Sequence, residues 1–154
     1  MIKRGRPLKP ENIEKALLID KEVSRIPQVL LFYLFGSAAG GNMTTLSDLD
    51  FAVLFESGLS SEHSYELLCD LTEIIAETTG TEEFDLVNIN SAPLTMRYQI
   101  VRNGRILYAK REEARVDFEA TTRSLFFDFA PLLNEYYREL YRKIEAGDSA
   151  WLTR

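Results

Sequence analysis

The sequence predicts an α+β fold, a small mixed β-sheet backed by helices, with a helical segment at its C-terminal end. Three observations predict it. Val29–Phe35 (VLLFYLF) and Phe51–Phe55 (FAVLF) have the length and composition of buried strands and flank a small polar stretch. A long helical pattern separates the second run from a third, Phe84-Asp-Leu-Val-Asn-Ile89. Strand, turn, strand, helix, strand lacks the regular βαβ alternation of a doubly wound sheet. From Glu112 to Glu145 the pattern is helical throughout. A chain of 154 residues is long enough for one domain with its own core. We divide residues 1–154 into a flexible basic arm (1–10), a main body (11–108) and a C-terminal helical segment (109–154).

The elements follow in order. Lys3, Arg4 and Arg6 with Gly5, Pro7 and Pro10 read as a loose arm. Glu11 to Ile26 reads as one amphipathic helix, with Ile13, Leu17, Leu18 and Val23 on its apolar side and Pro27 ending it. Strands are expected over 28–35 and 48–55. Ser60 or Ser61 caps a helix to Thr79, stopped by Gly80, with Leu67, Leu68, Leu71, Ile74 and Ile75 as its buried face. Cys69 falls in the same pattern and reads as a core filler. A third strand is expected over 84–89. Pro93 opens a short helix to Val101, and Asn103-Gly104 turns the chain into a brief strand, Arg105 to Tyr108. Pro131 should kink or break the last helix.

Composition removes several function classes. Apolar residues make up 45% and charged residues 27% of the chain, as in soluble globular proteins. No apolar run approaches the ~20 residues of a membrane span. Lys3, Arg4 and Arg6 precede no apolar stretch, so no secretory signal is expected. The single cysteine excludes an internal disulfide, and these features together point to the cytoplasm. A net charge of −6 argues against direct nucleic-acid binding, which needs a basic face. His63, the only histidine, reads as a solvated residue in the first turn of a helix. That excludes histidine-built metal sites and Ser-His-Asp or Cys-His hydrolases.

The most informative pattern is Gly36-Ser37, ten residues, then Asp48-Leu49-Asp50. Side chains alternate along a strand, so Asp48 and Asp50 share a face with Cα atoms about 6–7 Å apart. Two carboxylates so close repel by about 3 kcal/mol at an effective dielectric near 20. A divalent cation is the commonest reason to keep such a pair. The Gly-Ser turn offers open backbone N–H groups and a hydroxyl, which suit a phosphate. A hairpin cap would account for Ser47 and Asp48 but not for Asp50, which lies inside an apolar strand. Asp85 opens the third run and supplies a third carboxylate if two metal ions are held; the other reading is a solvated strand end. An all-oxygen set suits Mg²⁺ or Mn²⁺.

These residues resemble the DNA polymerase β-type nucleotidyltransferase superfamily. More narrowly they resemble the minimal nucleotidyltransferase (MNT) antitoxins encoded beside HEPN-domain toxins. The resemblance rests on Gly36, Ser37, Asp48, Asp50 and Asp85, with Arg97 and Gly104–Tyr108 in the later segments. It covers roughly residues 28 to 145 and implies a nucleotidyltransferase fold, an α/β palm, with 11–108 as catalytic core. Two departures stand out. Many relatives carry a base just after Gly-Ser, where this chain has Ala38-Ala39-Gly40-Gly41-Asn42-Met43. Many carry a second acid where this chain has Asn88, which alternation puts on the face opposite Asp85.

The resemblance implies a protein adenylyltransferase, the antitoxin of a type VII-like pair, moving AMP from ATP to a tyrosine hydroxyl of a cognate HEPN ribonuclease toxin in a hetero-oligomeric complex. Asp48, Asp50 and Asp85 would be catalytic residues and ligands of two Mg²⁺ ions, and Gly36 and Ser37 would bind nucleotide phosphate. Arg97 or Arg102 is either a triphosphate ligand or a surface base paired with carboxylates. Two alternatives stand beside this: an antitoxin that masks its toxin without catalysis, and a small-molecule enzyme of aminoglycoside type. The 46 residues after Tyr108 leave limited room for the antibiotic-holding domain of the latter. The aromatic C-terminal segment (Phe118, Phe126, Phe127, Phe129, Tyr136, Tyr137, Tyr141) reads as core packing, partner surface, or both.

Overall fold

A computed structural model describes residues 6–41 and 47–147. Residues 1–5 of the predicted arm, and Asn42 and Met43 of the predicted loop, lie outside the described residues. Four strands form one mixed sheet in the order β3-β2-β1-β4: β1 is Val29–Phe35, β2 Leu49–Phe55, β3 Phe84–Asn88 and β4 Arg105–Ala109. β1 pairs antiparallel with both β2 and β4, and β2 pairs parallel with β3. The α+β expectation holds.

Both faces of the sheet are covered, which explains why β1 reads as a nearly continuous apolar run. On one face Phe32, Leu34, Phe51 and Val53 pack under α1 (Pro10–Leu17), α2 (Asp20–Val23) and α4 (Ser61–Thr79). Phe32 and Phe51 stack with centroids 5.4 Å apart, and Phe84 meets Phe51 edge-on. On the other face Leu31, Tyr33 and Ala52 pack with Ile89, Ile100 of α5 (Leu94–Asn103) and Phe118 of α6 (Glu112–Glu145).

Element ends follow local chemistry. The Ser60 hydroxyl accepts from the His63 N–H, and Gly80 closes α4 in the left-handed region at φ 70°. Leu67, Leu71 and Ile75 are buried, with Leu68 and Ile74 packed beside them. Asn12 joins the two helices of the outer layer. Its side-chain oxygen accepts from the Lys9 N–H at 2.8 Å, and its amide nitrogen donates to the Thr79 carbonyl at 2.7 Å. One buried amide thereby caps the start of α1 and the end of α4.

Several expectations need correction. The helix over 11–26 is two short helices joined by three-residue backbone bonds, Leu18 N–H to Lys15 and Ile19 N–H to Ala16. That tightened turn keeps Ala16, Ile19, Val23 and Ile26 in the core and leaves Leu18 exposed. Residues 6–9 are not a loose arm: the Arg6 N–H donates to Glu83 Oε1 at 3.1 Å, and Leu8 packs on the core. Cys69 is exposed, because the buried stripe of α4 runs through Leu67, Leu71 and Ile75 instead. Pro131 neither breaks nor divides α6, which runs 34 residues. The third strand ends at Asn88, and Ile89–Ser91 forms a 3₁₀ turn. Among the described residues no helix is long and apolar enough to cross a membrane.

Candidate active site

The register of three adjacent strands builds the site. Phe35 at the end of β1 pairs with Asp50 near the start of β2, and Asp50 pairs with Asp85 near the start of β3. Cross-strand partners share a face, and Phe35 belongs to the side covered by α5 and α6. The two carboxylates therefore stand side by side on that face. Asp48 lies just before β2, which begins at Leu49, and is exposed. The predicted strand start at 48 is one residue early. Leu49 N–H is held by the Glu83 carbonyl at 3.1 Å, which ties the Asp48–Asp50 segment to the approach to Asp85.

Gly36 follows Phe35 at φ +69° and opens α3 (Gly36–Ala39), a single helical turn where the sequence suggested a loop. A Cβ added at Gly36 would lie 2.2 Å from Asp50 Oδ2 and 3.1 Å from its carboxyl carbon. The Asp50 carboxylate rests on the bare Cα of Gly36, so both backbone conformation and space require glycine here. Ser37 follows on α3 and is half-buried.

The electrostatics follow from this packing. Asp50 has its pKa raised above the ordinary aspartate value, first by burial, then by the charges of Asp85 and Asp48. The charges of both acidic neighbours thus reach Asp50. Among the described residues, however, no three His, Cys, Asp or Glu side chains converge closely enough to ligate a single ion. The backbone aligns the donors, and side-chain rotation would have to gather them. The donor chemistry still fits a hard divalent cation: the donors are oxygen only, and their charges are mutually unfavourable until neutralised.

The structure separates the two candidate arginines. Arg97 Nε donates to the Ala92 carbonyl at 2.8 Å and Nη2 to the Asn90 carbonyl at 3.5 Å. Asn90 in turn bonds both backbone groups of Phe55, at the end of β2 remote from Asp50. Arg97 therefore braces the β3–α5 connection. Arg102 is exposed in the last turn of α5, near the end of β1 that carries Gly36, since Arg105 just beyond it pairs with Leu34. Asn88 caps the 3₁₀ turn by accepting from the Asn90 N–H, which agrees with its absence from the carboxylate group. Sequence reasoning missed Glu83 and Arg6 beside the approach to Asp85. The parallel β2–β3 pairing that brings them there has no local signal.

The family described as polymerase beta, nucleotidyltransferase matches residues 18–113, a span that holds Gly36, Ser37 and all three aspartates. The protein adenylyltransferase MntA of Shewanella oneidensis is 31% identical over 101 residues, 66% of this chain and 68% of that protein. Among solved structures, a chain of a toxin–antitoxin crystal structure with AMP-PNP superposes with a TM-score of 0.56 at 28% identity, over 84% of this chain and 99% of its own length. A tri-AMPylated Shewanella oneidensis HEPN toxin in complex with MNT antitoxin provides another match, with a TM-score of 0.52 at 25% identity over 82% and 96% of the two chains.

Proposed function

This chain belongs to the polymerase beta nucleotidyltransferase family, and from that premise we propose that it transfers AMP from ATP to a tyrosine hydroxyl of a HEPN-domain toxin, acting as the antitoxin of the pair. The observation that carries the chemistry is the row of Gly36, just past β1, Asp50 on β2 and Asp85 on β3, with the Asp50 carboxyl held against the glycine and its pKa raised first by burial and then by Asp85 and Asp48. The acceptor is inferred from relatives named as adenylyltransferase and as toxin–antitoxin complexes. Residues 1–154 act as one nucleotidyltransferase domain, and a reaction that draws on ATP suits the cytoplasm.

Asp48, Asp50 and Asp85 would hold Mg²⁺, two ions on this reading. Bound there, Mg²⁺ supplies positive charge to the attacked α-phosphate and to the departing pyrophosphate. The Gly36 N–H and the Ser37 hydroxyl grip the β- and γ-phosphates and aim pyrophosphate as the leaving group. Asp85, exposed at the mouth of the site, takes the proton of the tyrosine hydroxyl. The tyrosine oxygen forms its bond to the α-phosphorus as the bond to the β-phosphate oxygen breaks. No covalent enzyme intermediate is needed, because orientation and charge stabilisation provide the catalysis.

Intact-mass spectrometry of a co-expressed HEPN protein tests this, after incubation with the chain, ATP and Mg²⁺ and with Asp50→Asn in parallel. Added mass in steps of one AMP with the wild type alone is the expected result. An unmodified HEPN protein that stays bound and silenced would overturn catalysis in favour of masking.

A further inference from the structure

The two edges of the sheet differ. β4, on one side, breaks register with β1 between Phe32 and Tyr33, begins at Arg105 and is followed by Lys110. Register breaks and basic residues keep an edge strand from pairing with another chain. β3, on the other side, has neither. It pairs with β2 residue for residue without a shift and contains no proline, lysine or arginine. The Leu49 N–H bonds the Glu83 carbonyl, and in a parallel ladder that bond fixes the direction of every backbone group along β3. Asp85 and Val87 turn theirs to β2, whereas Phe84, Leu86 and Asn88 turn theirs outward. The Phe84 N–H folds back to the Glu82 carbonyl at 3.1 Å. That leaves the Phe84 carbonyl, both groups of Leu86 and the Asn88 N–H along the edge, with no backbone partner among the described residues.

We propose that this edge takes up the acceptor protein, which pairs with β3 through an extended, basic segment that carries the target tyrosine. The proposal rests on the reading that the acceptor is a protein tyrosine, and it states how that side chain is delivered. The edge strand is itself the strand that bears Asp85, so a segment bound there is already at the site. An added strand places alternate side chains on the carboxylate face. A tyrosine opposite Asp85 starts one strand spacing outside it, and the gap between Asp85 and Asp50 lies half a spacing further in, about 7 Å in all. A tyrosine side chain spans that distance. A serine or threonine hydroxyl, one bond beyond its Cβ, stops short, so the edge selects tyrosine by reach.

Charge around the edge sets the character of the segment. Glu82, Glu83 and Asp85 follow one another into β3, and Glu77 at the end of α4 lines one cleft with Glu82 and Glu83. Arg6 and Lys9 line the same cleft, but Lys9 is engaged by Glu11 at 3.8 Å, so the acids prevail. A segment with basic residues beside its tyrosine is drawn to this edge, and an acidic one is repelled.

Amide hydrogen exchange of the full chain, read residue by residue, tests the pairing with and without a HEPN protein. Mg²⁺ and an ATP analogue with a methylene between its α- and β-phosphorus hold the complex before transfer. On binding, the Leu86 and Asn88 amides should slow by about tenfold or more, while those of Asp85 and Val87, already bonded to β2, move less. Leu86→Pro removes the outward N–H and spares the β2 ladder. Leu86→Ala also gives up apolar packing but keeps that N–H. With ATP, KM for the HEPN protein should be about tenfold higher for Leu86→Pro than for Leu86→Ala, with KM for ATP alike in the two. A bound HEPN protein that leaves Leu86 exchange unmoved overturns the proposal, as does an equal KM for the two variants. An amide already slow in the chain alone, or slowed by raising the chain's own concentration, gives the edge to the chain itself or to a second copy and also overturns it. The underlying reading fails separately: a HEPN protein that gains no AMP from the wild type refutes the acceptor, whereas AMP transfer with an unmoved Leu86 amide refutes the edge alone.

Discussion

Asp50→Asn should make the metal-free protein more stable, against the usual direction for a substitution in a buried strand. The side chain keeps its shape and loses its charge. Asp50 sits opposite Asp85 in a parallel pair, a strand spacing of about 4.8 Å, and Asp48 stands two residues back along the chain. One such neighbour costs about 3 kcal/mol at an effective dielectric of 20 and under 1 in bulk water. Asp48 and Asp85 are exposed, so solvent screening brings the total for Asp50 to about 1–2 kcal/mol. For a chain of this length that is a rise in melting temperature of about 2–8 °C. Thermal melts by circular dichroism, in low-salt EDTA buffer near pH 7.5, read it directly. The sign with pH follows from the raised pKa. The native state holds the Asp50 proton to higher pH than the unfolded chain, so wild-type stability falls as pH rises through the window above the ordinary aspartate value near 3.8. The advantage of the variant should therefore appear on crossing that window and vanish below it. Mg²⁺ should stabilise the wild type and leave Asp50→Asn unmoved. A variant that melts at or below the wild-type temperature in EDTA, or that gains equally from Mg²⁺, refutes the reasoning.

Three further outcomes follow from the contacts described above. Gly36→Ala drives a methyl into the Asp50 carboxylate and strains a positive φ; the rate of AMP transfer should drop by about 100-fold or more while the variant stays folded, measured by single-turnover mass spectrometry and near-UV circular dichroism. Asn12→Ala leaves the Lys9 N–H and the Thr79 carbonyl without their partner and should cost about 1–3 kcal/mol in urea unfolding at unchanged slope. The Tyr33 hydroxyl donates to Glu119 under α6, and burial, reinforced by Glu119, raises its pKa far above the usual tyrosine value. Tyr33→Phe should cost about 1–2 kcal/mol at pH 7. The gap should narrow above pH about 10, because the unfolded chain then releases a proton that the folded wild type retains.

The sheet was legible because its strands are short apolar runs bounded by Gly, Pro and Ser, and because burial on both faces left little alternation to misread. Asp48, Asp50 and Asp85 are singled out by spacing and strand context, and the register sets the latter two side by side. The parts that escaped were set by tertiary packing. The division of the first helix depends on a tightened turn at Leu18 that propensity does not mark. Residues 6–9 read as an arm from composition, yet Leu8 finds the core and Arg6 reaches Glu83, 77 positions away. Cys69 lies one position off a stripe whose exact rotation depends on the sheet beneath it. Arg97 and Arg102 are indistinguishable in sequence, and only the fold shows that one braces a turn while the other stays open.

The parallel pairing of β2 with β3 also sets an order of assembly. Asp48 and Asp50 come with a hairpin that β1 and β2 can close locally, whereas Asp85 joins only after α4 has carried the chain across the sheet. Such long-range pairings form late, because the loop must be closed before the contact rewards it. A slip of β3 by one residue would turn Asp85 to the opposite face and carry Phe84 and Leu86 off the core cluster they pack against. Phe84, stacked edge-on against Phe51, guards against that slip. A chain still emerging from the ribosome therefore presents two of the three carboxylates well before it has the third, and activity becomes a marker that the crossover has closed in register.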